Sequence, residues 1–329
     1  MISRVAENCL WLARYAERAE TTARTLDVHL SLYLDSGVHE LEEWRPLVVV
    51  VGQEQAFLAS HGADRIHDRD TVVEYLTWDR DNPMSIASSI YCARENARMT
   101  RETISLEMWE ILNEMWLWLG APRTRRGFES DPHSFYVELR NRCALLYGMR
   151  WGTMLHEQPF NFMRLGTALE RAGQTARILD VKYHSLGPSQ PGRESAEDAA
   201  QWLATLRSCS AVEPFFKRAA HELSGAAVAD FLLFDRAFPR SVSHNLHMCQ
   251  HVLDLIRPEA TPTVGERSAA AFAELIEWIE GLTIEQIVAE GMHEALTWIV
   301  DSTMDVAEVL DADFINPLPV APAVGAVGA

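Results

Sequence analysis

Two stretches decide the fold: "LARYAERAETTARTLD" (residues 12–27) and "LGTALERAGQTARILD" (residues 165–180). In the first, Leu12, Ala16, Ala19, Ala23, Leu26 and Leu30 are spaced 4, 3, 4, 3, 4 and draw one stripe along a helix. In the second, Leu165, Leu169, Ala172, Ala176, Leu179 and Tyr183 draw the same stripe. Each stretch carries a Glu-Arg pair at the same place, Glu17-Arg18 and Glu170-Arg171. With 3.6 residues per turn, both side chains of each pair project from the side opposite the stripe.

The likeness extends further. "VVEYLTWDRDNPMSIASSI" (72–90) aligns without gaps with "VADFLLFDRAFPRSVSHNL" (228–246). The offset is 156 from Val72 to Val228, against 153 from Asp27 to Asp180. Trp44 and Trp202, 158 apart, add a weaker match. Two matches at nearly equal offsets imply two tandem copies of a helical unit, about 1–155 and 156–310. The expected fold is an all-α bundle of two repeats related by a pseudo-twofold axis, forming one domain over 1–310. Within the second repeated segment a helix ends near Trp78 or Phe234, an Asp-Arg turn follows, and Pro opens the next helix, with Asn82 as the expected cap of the first copy. Phe238 takes that place in the second copy, so its cap must come from elsewhere. The β-branched run "LVVVVG" (47–52) reads as helix. "GAPRTRRGFESDP" (120–132) and "LGPSQPGRESAED" (186–198) read as connectors, and 311–329 as a disordered Pro/Ala/Gly tail.

Composition narrows the partners. The chain has 329 residues, with 29 Lys+Arg against 47 Asp+Glu, for a net charge of −18. That argues against nucleic acid or an anionic membrane as the main partner, because phosphate binding needs clustered cations. The one basic run, "RTRRGF" (123–128), sits among turn residues and reads as a solvated loop. Five scattered cysteines without a CxxC fit reduced, buried thiols and a cytoplasmic protein. The opening "MISRVAENCLWLARYAER" has early charges and no apolar core, so it does not read as a signal peptide.

Four constellations stand out. Identical Glu-Arg charges in both copies are not needed for solubility, and Gly166, Ala168, Gly173 and Ile178 around the second pair imply close neighbours. Charges with close neighbours must be paired, so the pairs are either an ion-pair lattice between the halves or a ligand site, the lattice being favoured over a solvated face. Arg94, Arg98 and Arg101 form a ladder beside Glu95 and Glu102, fit for carboxylate or phosphate, although spacing alone favours surface pairing. Asp79-Arg80 with Ser85, and Asp235-Arg236 with Arg240 and Ser241, sit where turns enter helix N-termini, natural for anions or for capping. His244, His247 and His251 share a helix face, a weak metal candidate because one helix cannot wrap an ion. No P-loop, GxGxxG, GxSxG or zinc-finger spacing occurs, and no cofactor is expected.

These stretches, with "FMRLGTALERAGQTARILDVKYHS" and "LRSCSAVEPFF", resemble the alpha-E family, a bacterial all-helical family named for its Glu-Arg motif. The resemblance implies accessory partners of circularly permuted ATP-grasp proteins and transglutaminase-like proteins, hence a role around peptide-like amides. It carries over to Glu17, Arg18, Arg94, Glu95, Asn96, Arg98, Arg101, Glu102, Glu170, Arg171, Arg236, Pro239, Arg240 and Ser241. The histidines are not part of that pattern. The leading expectation is a binding partner in which Arg94, Arg98, Arg101 and Arg240 hold carboxylate or acyl phosphate of a peptide or amino acid. There Glu17 and Glu170 orient the arginines or bind an amine. The alternatives are an enzyme using Glu17 or Glu170 for acid–base work on an aminoacyl or peptide substrate, and a purely structural subunit.

Overall fold

The computed structural model describes residues 3–36, 44–186, 195–218, 223–257 and 263–316. Every regular element among them is helical. The N-terminal half contains α1 (Ser3–Ser36), α2 (Arg45–Val50), α3 (Glu54–His61), α4 (Arg69–Thr77), α5 (Ile86–Met99), α6 (Leu106–Leu119), α7 (Pro122–Ser130) and α8 (Pro132–Thr153). Beyond it come α9 (Gln158–Leu186), α10 (Ala196–Ser208), α11 (Val212–Arg218), α12 (Gly225–Phe234), α13 (Val242–Ile256), α14 (Glu266–Glu280), α15 (Ile284–Glu290) and α16 (Met292–Leu310).

The two Glu-Arg stretches form α1 and α9, which lie against each other at the centre. Around them, α5 and α8 pack on α1, while α13 and α16 pack on α9. The short helices cross over: α2 packs on α9 and α10 packs on α1. Both central helices are therefore covered on more than one side. The Glu-Arg side of α1 is not solvated: Glu17 is completely buried. One apolar cluster, from Ala6 to Ile315, draws on residues of both halves, so the halves share a core.

Glycine sets the closest approach of α1 and α9. A Cβ on Gly166 would lie 2.3 Å from the backbone oxygen of Leu10, so no side chain fits there without moving a helix. Gly166→Ala is expected to cost about 1–3 kcal/mol despite the better helix propensity of alanine, read as a fall in the urea midpoint. An unchanged or raised midpoint would show that the seam is looser than this.

Several expectations shift at helix ends. Residues 47–50 of the run 47–52 are helical as expected, in α2, and Val51 and Gly52 form the turn that follows. Asn82 does not cap α5: its Oδ1 accepts from Met84 N (2.9 Å) and its Nδ2 donates to Tyr75 O (2.9 Å), which fixes the turn. Pro83 and Pro239 lie in the turns, and the helices start after Ser85 and Ser241, whose hydroxyls accept from Ser88 N and His244 N. In the second turn Asp235 Oδ1 accepts from the N–H groups of Ala237 and Phe238, both at 2.8 Å.

The basic run is not a loop. It forms α7, opened by Pro122, with Thr124 and Phe128 buried one turn apart. Its Arg125 grips Glu74 with two hydrogen bonds (3.0 and 2.6 Å) and stacks over Trp78. The tail begins later than position 311. Asp311–Ile315 continues α16, Ile315 is buried, and Asp313 accepts from the backbone N–H and hydroxyl of Ser268 at the start of α14. Residues 317–329 and most of the expected connector 186–198 (187–194) lie outside the described residues, while Ser195 and Asp198 form the capping box of α10.

Candidate functional site

The Glu-Arg pairs cross. Arg18 of α1 donates to Glu170 of α9 through Nε (2.8 Å) and Nη2 (3.1 Å), and Arg171 of α9 donates to Glu17 of α1 through Nε (2.8 Å). Adjacent residues on a helix diverge by about 100°, and neither pair closes on itself. The registers of α1 and α9 bring each arginine to the other helix's glutamate.

The two glutamates have different further partners. Glu17 also accepts from Arg240 Nη1 (2.9 Å) and from the hydroxyl of Tyr147. Beside it, Glu20 accepts from Arg240 Nη2 (2.8 Å) and from Arg24. Glu170 also accepts from Arg14 Nε (2.9 Å) and Gln174 Nε2 (3.2 Å). Burial alone would push both carboxyls up. The charges of Arg171 and Arg240 on Glu17, and of Arg18 and Arg14 on Glu170, outweigh burial and hold each at about 2. Arg240, which burial would lower, is raised by Glu20 and Glu17.

On the Glu170 side the seam opens into a cavity of about 280 Å³. Arg14, Arg18, Arg177, Glu170 and Gln174 line its polar part, with Gly52, Gly173, Met84, Thr303 and Met304 among the other walls. Arg14 and Met304 also border a wider concavity of about 550 Å³ walled by Leu10, Trp11, Glu308, Asp311 and Ile315. Arg177 donates through Nη2 to Met304 Sδ (3.4 Å), and among the described residues no carboxylate comes within ion-pair distance of it. Burial lowers its pKa.

A Glu-Arg motif on an all-helical chain agrees with the description of the Alpha-E family, "a predicted alpha-helical domain with a conserved ER motif", whose model matches residues 1–315. The chain belongs to the Alpha-E family. It is also similar to uncharacterized proteins of Mycobacterium bovis and Mycobacterium tuberculosis, each 25% identical over 94% of this chain. The chain spans 36% of the length of these relatives. No solved structure matches it.

Apart from Arg240, the other expected site residues of this Alpha-E chain are not gathered with the crossed pairs. Arg94 bonds Asn113 (2.9 Å) and Glu95 (2.7 Å), and Arg98 bonds Glu95 (2.8 Å). Arg101 lies past the end of α5, so the ladder breaks there, and its guanidinium stacks on Trp109 at 4.8 Å. Asn96 is half-buried, and its carbonyl accepts from the Thr100 hydroxyl; Glu102 is exposed. The ladder is surface pairing around Glu95. Asp235 fixes its turn and pairs with Arg218 (3.2 Å), Ser241 caps α13, and Arg236 reaches Glu280 (2.6 Å). Arg240, expected to hold a ligand, is spent on Glu17 and Glu20. The histidines separate: His244 Nδ1 lies 2.8 Å from Arg236 O, His247 Nε2 lies 3.0 Å from Glu280, and His251 is exposed. Among the described residues no group of three His, Cys, Asp or Glu is placed to hold a metal, and no helix is long and apolar enough to cross a membrane.

Arg14, Glu20, Arg24, Gly173 and Arg177 escaped the expected site. A signal was there: Arg24 and Arg177 fall at matching places in the two stretches, whereas Glu20 is matched by Gly173.

Proposed function

We propose that this Alpha-E chain is a binding partner in an ATP-grasp-type amide-forming system, holding a peptide, an amino acid or a partner segment in the charged recess between its helical halves. The observation that carries it is the arginine-lined cavity beside the Arg18–Glu170 pair, set on the seam of α1 and α9. Acid–base chemistry by the glutamates is the weaker reading. Carboxylates held near 2 by two arginines each donate no proton at neutral pH and are feeble bases.

We also read the chain as a duplication. Support comes from the crossed pairs, the matching caps Ser85 and Ser241, and a matching pair of contacts. His133 Nδ1 meets Asp27 and His293 Nδ1 meets Asp180, each at 2.6 Å, at the starts of α8 and α16.

The test is copurification of the full chain with a circularly permuted ATP-grasp or transglutaminase-like protein from the same genome. A stable complex, and partner activity raised by adding the chain, is the expected result. A partner that ignores the chain and is fully active alone would overturn the proposal and leave a structural subunit.

A further inference from the structure

The two sides of the α1–α9 seam are built on one pattern and finished differently. In the gapless register of the two stretches, Glu20 matches Gly173 and Arg24 matches Arg177; in the turn segments, Arg240 matches Met84. On the Glu17 side all three charges are present, and the Glu20 carboxylate lies between Arg24 and Arg240. On the Glu170 side the glutamate is a glycine that borders the cavity, where a Cβ would meet Thr303 Oγ1 at 3.2 Å. The second arginine survives, with no carboxylate at ion-pair distance among the described residues, and its Nη2 donates to Met304 Sδ. Gly52, at φ +71°, brings its backbone up to Arg177, where a Cβ would meet Nη1 at 3.2 Å.

Charge points the same way. Three arginines and one glutamate line the cavity, and Glu170 already serves Arg14 and Arg18. A half-buried guanidinium beside a cavity, bonded among the described residues to a thioether, calls for an anion. We propose that this cavity seats the carboxylate of an amino acid or of a peptide C-terminus, taken by Arg177 in the place that Glu20 fills on the opposite side. The size agrees: about 280 Å³ leaves room for an amino acid. The adjoining concavity, with Trp11 and Leu10 on one wall and Glu308 and Asp311 on another, takes the rest of a peptide.

The inference deepens the binding reading and rests on it for the ligand's role. The experiment measures thermal stabilisation and calorimetric binding of the full chain with L-alanine, the dipeptide Ala-Ala, Ala-Ala amide and inorganic phosphate, at low ionic strength. Stabilisation by Ala-Ala or alanine and not by the amide is expected, the dipeptide arm marking a peptide end and the alanine arm a free amino acid. Arg177→Met should bind about tenfold more weakly or worse, the loss of one charge-assisted bond. Its own melting temperature should be unchanged or higher, because it removes a desolvated charge. Gly173→Glu, which supplies the missing carboxylate internally, should abolish binding. Stabilisation by phosphate alone, equal effects of the amide, no stabilisation by any probe, or full binding by Arg177→Met would overturn the inference. Pull-down of the ATP-grasp protein in parallel separates the two proposals: a complex without carboxylate binding defeats only this one, and carboxylate binding without a complex defeats only the partner reading.

Discussion

Replacing Glu17 by Gln is expected to cost about 3–5 kcal/mol of stability, the range for removing one partner of a buried ion pair. The side chain is completely buried and receives Arg171, Arg240 and Tyr147. Its neutral amide would leave Arg171, at the α1–α9 seam, with no carboxylate among the ion pairs described. Arg240 would keep Glu20. Against a total of about 5–15 kcal/mol for an ordinary domain, that loss decides whether the chain stays folded at body temperature. Glu95→Gln supplies the contrast. Glu95 is half-exposed with both its arginines on the surface of α5, so about 1 kcal/mol or less is expected. Urea unfolding of both variants reads the difference. A Glu17→Gln variant as stable as the parent would mean that the lattice is not what joins the halves.

Acid should unfold this chain through the same two carboxyls. Free glutamate titrates near 4.3, and Glu17 and Glu170 are both held at about 2 in the folded chain. Between these values the unfolded chain binds protons that the folded chain does not. The stabilisation is therefore complete above about pH 4.5 and is lost as the pH falls toward 2. Each carboxyl therefore contributes stability at neutral pH that acid removes. Unfolding free energies measured from pH 7 to pH 2.5 should fall steeply below about pH 4.5. The Glu170→Gln variant, less stable at pH 7, should show a shallower fall. A parallel fall in both would assign the acid sensitivity to other carboxylates.

The legible part of this fold was the part written in local periodicity. The stripe through Leu12, Ala16, Ala19 and Ala23 placed α1, its counterpart placed α9, and the Asp-Arg-Pro turn placed the entrances of α5 and α13, although these helices start after Ser85 and Ser241 rather than at Pro83 and Pro239. The cap itself was misassigned to Asn82 because a Pro-containing turn offers two side chains able to accept a backbone N–H, and only the path of the turn chooses Ser85. The basic run was taken for a loop because Arg123, Arg125 and Arg126 hide a two-residue apolar face, Thr124 and Phe128, too short to show as a period. At the site, the repeated Glu-Arg pair announced that charges would be buried. It did not announce that they would cross, because the pairing of Arg18 with Glu170 depends on how α1 slides against α9, and Gly166 on Leu10 fixes that slide. Arg240 was recognised as important and given the wrong task. A spacing pattern places an arginine on a helix entrance; it does not reveal that Glu17 and Glu20 wait opposite.

The crossing itself is open to direct measurement by double-mutant cycles. The Arg18→Met and Glu170→Gln cycle should return a coupling of about 2 kcal/mol or more, because the two groups share two hydrogen bonds in a buried seam. The Arg18→Met and Glu17→Gln cycle, between neighbours in sequence that touch different partners, should return about 0.5 kcal/mol or less. A larger coupling within α1 than between α1 and α9 would contradict the crossed lattice.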